Sequence, residues 1–334
     1  MKKFIIILTL SLVCFAFVPF TFKKNQENKA IDDAIKSSLT LLQKSCSIFL
    51  NNASCVSCHS QSLGPLTFKL AKEHGFVIND STINNSLDST LSRWQASKKG
   101  LIEAHEMHAN IEGGYALWAL AANNYPDNKP IELLVHHIAG RQTAEGYWRG
   151  SSYRPPLEYS DITATALDLK AIIHYSPASQ KDKTDKCITI ARQWLTNQYP
   201  KTNEERIYQI LGLKWSLADS EIIKKKANIL ISYQRPDGGW SQLDSLPSDA
   251  YATGQSLFSL NQAALLPTTS TVYQKGINFL LKTQLSDGSW LVKTRSYPVI
   301  PFVESGFPHN ENQFISAAGS SWATMALILS VLAK

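Results

Sequence analysis

Gln142-Thr-Ala-Glu-Gly146-Tyr-Trp148, Gln234-Arg-Pro-Asp-Gly238-Gly-Trp240 and Gln284-Leu-Ser-Asp-Gly288-Ser-Trp290 are three copies of one pattern, Q-x-x-x-G-x-W. Each closes an apolar stretch of helical period, most clearly from Lys275 to Gln284. A glycine just past the last helical position is a stop signal, because it enters the left-handed region at no steric cost. Weaker copies keep the helix and the glutamine but lose Gly-x-Trp. They are Leu41-Leu42-Gln43, Arg93-Trp94-Gln95 and Trp194 to Gln198. The glutamines at 43, 95, 142, 198, 234 and 284 are spaced by 52, 47, 56, 36 and 50, a period near 48. Self-similarity at such a period is the mark of a repeat architecture.

A second helical stretch follows each copy, near Leu63 to His74, Gly113 to Asn124, Asp161 to Tyr175, Glu205 to Leu217, Asp249 to Ala263 and Ser316 to Leu332. Several carry small residues near their starts, such as Ala164 to Ala166 and Ala252 to Gly254, which let helices approach closely. Asp161 and Asp249 suit N-caps. Strand signals are weak. The expectation is an all-α chain of six helical hairpins, an α6/α6 toroid over residues 27–334 with the second helices inside.

The three Q-x-x-x-G-x-W elements resemble the QW motif of the squalene-hopene cyclase and prenyltransferase superfamily. The resemblance is best over residues 130–334. It implies the αα-toroid, and it implies that Gln234, Trp240, Gln284 and Trp290 are structural, the glutamine capping a helix and the tryptophan stacking on the next repeat. It does not carry the reaction over. Class II cyclases of that superfamily protonate an alkene with an acid held in a D-x-D-D cluster, and this sequence has none. No zinc-ligand set or aspartate-rich diphosphate motif is recognisable either, and a chain of this length has room for one ring.

Cys55-Val56-Ser57-Cys58-His59 reads C-x-x-C-H, the attachment signature of a c-type haem. Two thiols at that spacing reach two porphyrin vinyl groups, and His59 then ligates the iron as proximal ligand. The bland readings are a Cys55–Cys58 disulfide, half a zinc site, or coincidence. The motif lies between the helices of the first hairpin. The long loops 149–160 and 291–315 fall on the same rim. Candidates for the distal ligand on that rim are Met107, then His108 and His105, then His309. The iron can also be left open or water-bound, and the bland reading of His105 to His108 is a polar helix start with no ligand role. Arg149 and Arg154 are candidates for the haem propionates or simply solvated loop charges. Cys46 and Cys187 read as buried thiols or a disulfide.

Met1-Lys2-Lys3 followed by the apolar run Phe4 to Phe17 has the build of a secretory signal over residues 1–22. With no clean cleavage site, an uncleaved anchor is the alternative. The chain is therefore expected to be exported, periplasmic or membrane-anchored facing the periplasm. Its net charge of +6 is a mild bias with no basic block for nucleic acid. Two functions compete. One is an exported c-type haem protein (haem c, iron) serving electron transfer or haem-based redox, with a redox partner protein. The alternative is a terpenoid cyclase/prenyltransferase-like enzyme or apolar-ligand-binding protein that uses the central cavity for a small apolar ligand.

Overall fold

The computed structural model describes residues 18–53, 57–106, 109–150, 154–263, 265–298 and 302–331. These residues form an all-helical ring of six hairpins, with no strands among them and two isolated β-bridges. The outer helices are α1 (Val18–Asn52), α3 (Asp80–Ala96, extended by the short α4, Lys98–Ile102), α6 (Lys129–Ala139), α8 (Lys181–Asn197), α10 (Ser220–Ser232) and α12 (Thr271–Thr283). The inner helices are α2 (Leu63–Glu73), α5 (Gly114–Ala122), α7 (Asp161–Tyr175), α9 (Asn203–Trp215), α11 (Ala250–Gln262) and α13 (Gln313–Ser330). Contacts run α2, α5, α7, α9, α11, α13 and back to α2, so the inner layer is closed. Among the described residues, no helix is long and apolar enough to cross a membrane.

The three Q-x-x-x-G-x-W turns are the same object. In each, the Trp Nε1 donates to a carbonyl on its own outer helix: Trp148 to Ile138 at 2.7 Å, Trp240 to Leu230 at 2.8 Å and Trp290 to Leu280 at 2.8 Å. The Trp backbone N–H donates to a hydroxyl on the inner helix, from Thr165, Thr253 or Ser320. The glutamine donates to the turn glycine's carbonyl and to a carbonyl of the next outer helix, Cys187, Val272 or Ala34. A structural role is thus seen for Gln234, Trp240, Gln284 and Trp290, though not the one implied: the glutamine bridges to a carbonyl of the next outer helix, while each fully buried indole bonds its own outer helix.

The last copy closes the ring. Gln284 Nε2 donates to the Ala34 carbonyl on α1 at 2.9 Å, 250 residues away in sequence. Gly288 has φ +87°, and a Cβ there would lie 2.8 Å from the Ser37 carbonyl oxygen. Only glycine fits both demands. Of the weaker copies, Gln43 still reaches the next repeat, accepting from the Asn79 N–H at 2.8 Å. Gln198 instead bonds its own helix, through Trp194.

Two boundaries differ from the sequence reading. Asp249 is the N-cap of α11, but the cap of α7 is Ser160, with Asp161 as the first helical residue. Inner helix α9 begins at Asn203, where Thr202 and Glu205 form a reciprocal capping box.

Candidate functional site: the ring axis and its mouth

Which inner-helix residues face the axis follows from the turns. Thr165, Thr253 and Ser320 point outward to the Trp N–H groups. A residue two positions away is rotated by about 200° on a helix. Thr163, Tyr251, Gln255 and Trp322 therefore face inward. Tyr251, Gln255 and Phe258 stand one above another at helical spacing.

Along the axis there are two zones. In the deeper one, Trp118 of α5 touches Trp215, Phe258 and Trp322 from three other inner helices, with ring centroids at 5.2, 6.3 and 6.1 Å. Towards the mouth lies a chain of polar groups. Tyr208 Oη donates to Tyr115 Oη at 2.6 Å, and Tyr251 Oη donates to Glu204 Oε2 at 2.9 Å. Burial pushes the Glu204 carboxyl up to about 8, so it carries its proton at neutral pH. Asp249 is pushed up to about 6 by burial; it caps α11 and accepts from Gln242 at 3.0 Å.

Two long loops cover the mouth. They come from hairpins three and six, on opposite sides of the ring, and meet where Ser296 Oγ donates to the Pro155 carbonyl at 2.9 Å. Arg295 Nε donates to Gln242 Oε1 at 2.8 Å and faces Glu204 and Asp249. Arg154 pairs with Glu158 and with Glu112 at 3.3 Å. Burial, then the neighbouring Glu158, raises Glu112 to about 7.

The candidate residues named from the sequence fall as follows. Cys55, Met107 and His108 lie outside the described residues. Cys58 is buried beside Glu158, Glu112 and Arg154; burial and the two carboxylates push its thiol up. His59 packs against Phe49 and Phe314 at 5.4 and 4.7 Å, and its Nε2 is buried without a partner. Burial and then Arg154 lower its pKa to about 3. His105 is exposed and lies 3.7 Å from Glu103. His309 Nε2 shares a 2.8 Å hydrogen bond with Ser289 on the last QW turn. Among the described contacts, neither histidine meets His59. Arg154 does share the mouth with Cys58, whereas the exposed Arg149 offers its carbonyl to Asn110. Cys46 and Cys187 are both free thiols.

No family profile matches the chain. A lanosterol synthase from Candida albicans is 23% identical over 291 residues, 77% of this chain and 39% of that protein. The chain thus spans about two fifths of the length of that relative. Among solved structures, a variant of the type II terpene cyclase MstE from Scytonema, in complex with geranylgeranyl dihydroxybenzoate, superposes with TM-score 0.53 at 12% identity. That match covers 92% of this chain and all of the other. The same cyclase without ligand also gives TM-score 0.53 at 12% identity, covering 90% and 98%. At that identity the likeness is one of fold. The chain therefore has a terpene-cyclase-like helical toroid. These relatives overturn the first of the two functional readings. The similar sequence is a lanosterol synthase and the similar structures are a type II terpene cyclase, so the exported haem protein of electron transfer or haem-based redox gives way to its alternative reading.

Proposed function

We propose that the chain takes an apolar molecule of the isoprenoid class into its axis, under the two loops and against Trp118, Phe258 and Trp322. The observation that carries this reading is the zoning of the axis. Aromatic faces from four inner helices meet at one depth, and an uncharged acid and three tyrosines meet at the next. An apolar wall with a few convergent polar groups is the usual build of a small-molecule site. The aromatic rings touch each other across the axis, so a ligand takes its place by separating Trp118 from its neighbours.

Binding, rather than alkene protonation, is the function proposed. An acid raised to about 8 is a good hydrogen-bond donor at neutral pH. It is far too weak an acid to protonate a bare double bond, and among the described residues no aspartate cluster stands beside it to change that. The test is a tryptophan fluorescence titration with geranylgeraniol. Saturable quenching is expected, weakened about tenfold in Trp118→Ala, equivalent to about 1.4 kcal/mol. A flat titration with the wild-type protein refutes the reading, as does a cyclised product in the extracted lipid.

For the C-x-x-C-H stretch taken alone, we propose separately that Cys55 and Cys58 accept haem with His59 towards the iron. The support is the motif and the orphaned, buried His59 Nε2. The proposal concerns attachment and assigns no activity. A pyridine haemochrome spectrum after co-expression with haem maturation proteins checks it, and a colourless product ends it. The mass of the purified chain reads haem addition and N-terminal trimming together.

A further inference from the structure

From the mouth down to the aromatic zone, the axis holds polar atoms whose hydrogen bonds are unmet. Thr163 Oγ1 on α7, Glu204 Oε1 on α9, both amide atoms of Gln255 on α11 and Trp322 Nε1 on α13 are buried without a well-formed hydrogen bond, Gln255 lying beside Glu204 and Tyr251. They come from four consecutive inner helices. Thr163, Gln255 and Trp322 face inward by the helical offset from Thr165, Thr253 and Ser320. Glu204 is tied to that face by Tyr251. Each such group left unmet costs about 1–3 kcal/mol. Native folds rarely leave several together, so the set marks where a polar group of a ligand belongs.

The chemistry of that group follows from what surrounds it. The unmet set contains donors (the indole N–H, the Gln255 amide and the Glu204 hydroxyl) and acceptors (the Gln255 carbonyl and Thr163). A diphosphate or carboxylate needs uncommitted cations. Arg154 is already held by Glu112 and Glu158, and Arg295 by Gln242 while facing Glu204 and Asp249. Even with Glu204 uncharged, both guanidiniums are already engaged by Glu158, Glu112, Gln242 and Asp249, which leaves neither free for an anion.

We infer that the axial site selects an apolar molecule ending in an uncharged oxygen function, an alcohol or a carbonyl, held by Glu204, Gln255 and Trp322. The inference rests on the proposed axial binding and sharpens it. Isothermal titration of the full chain against geranylgeraniol, geranylgeranyl diphosphate and squalene separates the two. The alcohol is expected to bind at least tenfold more tightly than either of the others. Gln255→Leu should weaken the alcohol about tenfold and leave squalene unchanged. Should none of the three bind, the axial function itself fails. If the diphosphate or squalene binds as tightly as the alcohol, the head-group assignment is overturned while axial binding stands. The comparison across ligands uses the wild-type chain, so it holds even if the variant fails to fold.

Discussion

At Glu204 the surroundings, and not the residue type, decide the charge state. Its neighbours Asn203 and Glu205 make the stretch read as an ordinary helix start, and Thr202 and Glu205 do form a capping box there. Nothing in the sequence singles out the one carboxyl that turns inward, which is why it went unseen while the conspicuous Cys58 and His59 did not. The same holds for Gln255 and Trp322, legible only once the outward-facing Thr253 and Ser320 fix the rotation of their helices. Arg154 was legible as a rim residue but not for what it does, which is to separate two carboxyls. Replacing it by Met leaves Glu112 and Glu158 facing each other in a partly buried site. The expected cost is about 1–3 kcal/mol at pH 8. It should shrink at pH 5, where Glu112, raised to about 7, takes a proton. Urea denaturation at the two pH values measures it, and an equal cost at both contradicts the assignment.

On the scale of the single element, the QW turn is the part of the molecule most fully readable in advance. Its glycine, glutamine and tryptophan each meet a fixed partner, so three copies at fixed offsets imply three identical corners. Gly288→Ala is expected to destabilise by about 2 kcal/mol or more, from a forced left-handed residue and the collision with Ser37. Gly140→Ala, at φ −73° with nothing nearer than 3.5 Å to a Cβ, should be neutral or slightly stabilising. Trp290→Ala removes a fully buried indole and its bond to Leu280, for about 3–5 kcal/mol. Chemical denaturation midpoints of the three variants rank these effects. Helix boundaries were less legible, because caps compete locally: Ser160 takes the cap of α7, and the neighbouring Asp161 instead accepts from the Gly150 N–H at 2.7 Å.

For the molecule as a whole, the period near 48 and six hairpins were enough to anticipate the ring, since only closure gives the first and last outer helices a partner. What the interior holds was not legible, because it depends on side chains from distant repeats meeting at one depth. That interior gives the ring a pH dependence. Glu112 and Glu204 keep their protons in the folded state to about 7 and about 8, while the unfolded chain releases them near 4.5. Above pH 4.5 the unfolded state therefore holds fewer protons, and stability falls as pH rises until each folded value is passed. From pH 6.5 to 8, Glu204 alone accounts for on the order of 2 kcal/mol. Below pH 6.5 His59 works the other way: its folded value near 3 means the unfolded chain takes up the proton first. Thermal melts should lose midpoint between pH 6.5 and 8, and Glu204→Gln should flatten that decline. A wild-type midpoint that rises over the same range contradicts the buried, protonated carboxyls.

A crystal structure of the full chain grown with geranylgeraniol tests the central claim most directly. The account predicts ligand density along the ring axis, with its oxygen within hydrogen-bond reach of Glu204 and Gln255 and its chain against Trp118. Density confined to the outer helices, or an axis unchanged at saturating ligand, would contradict it.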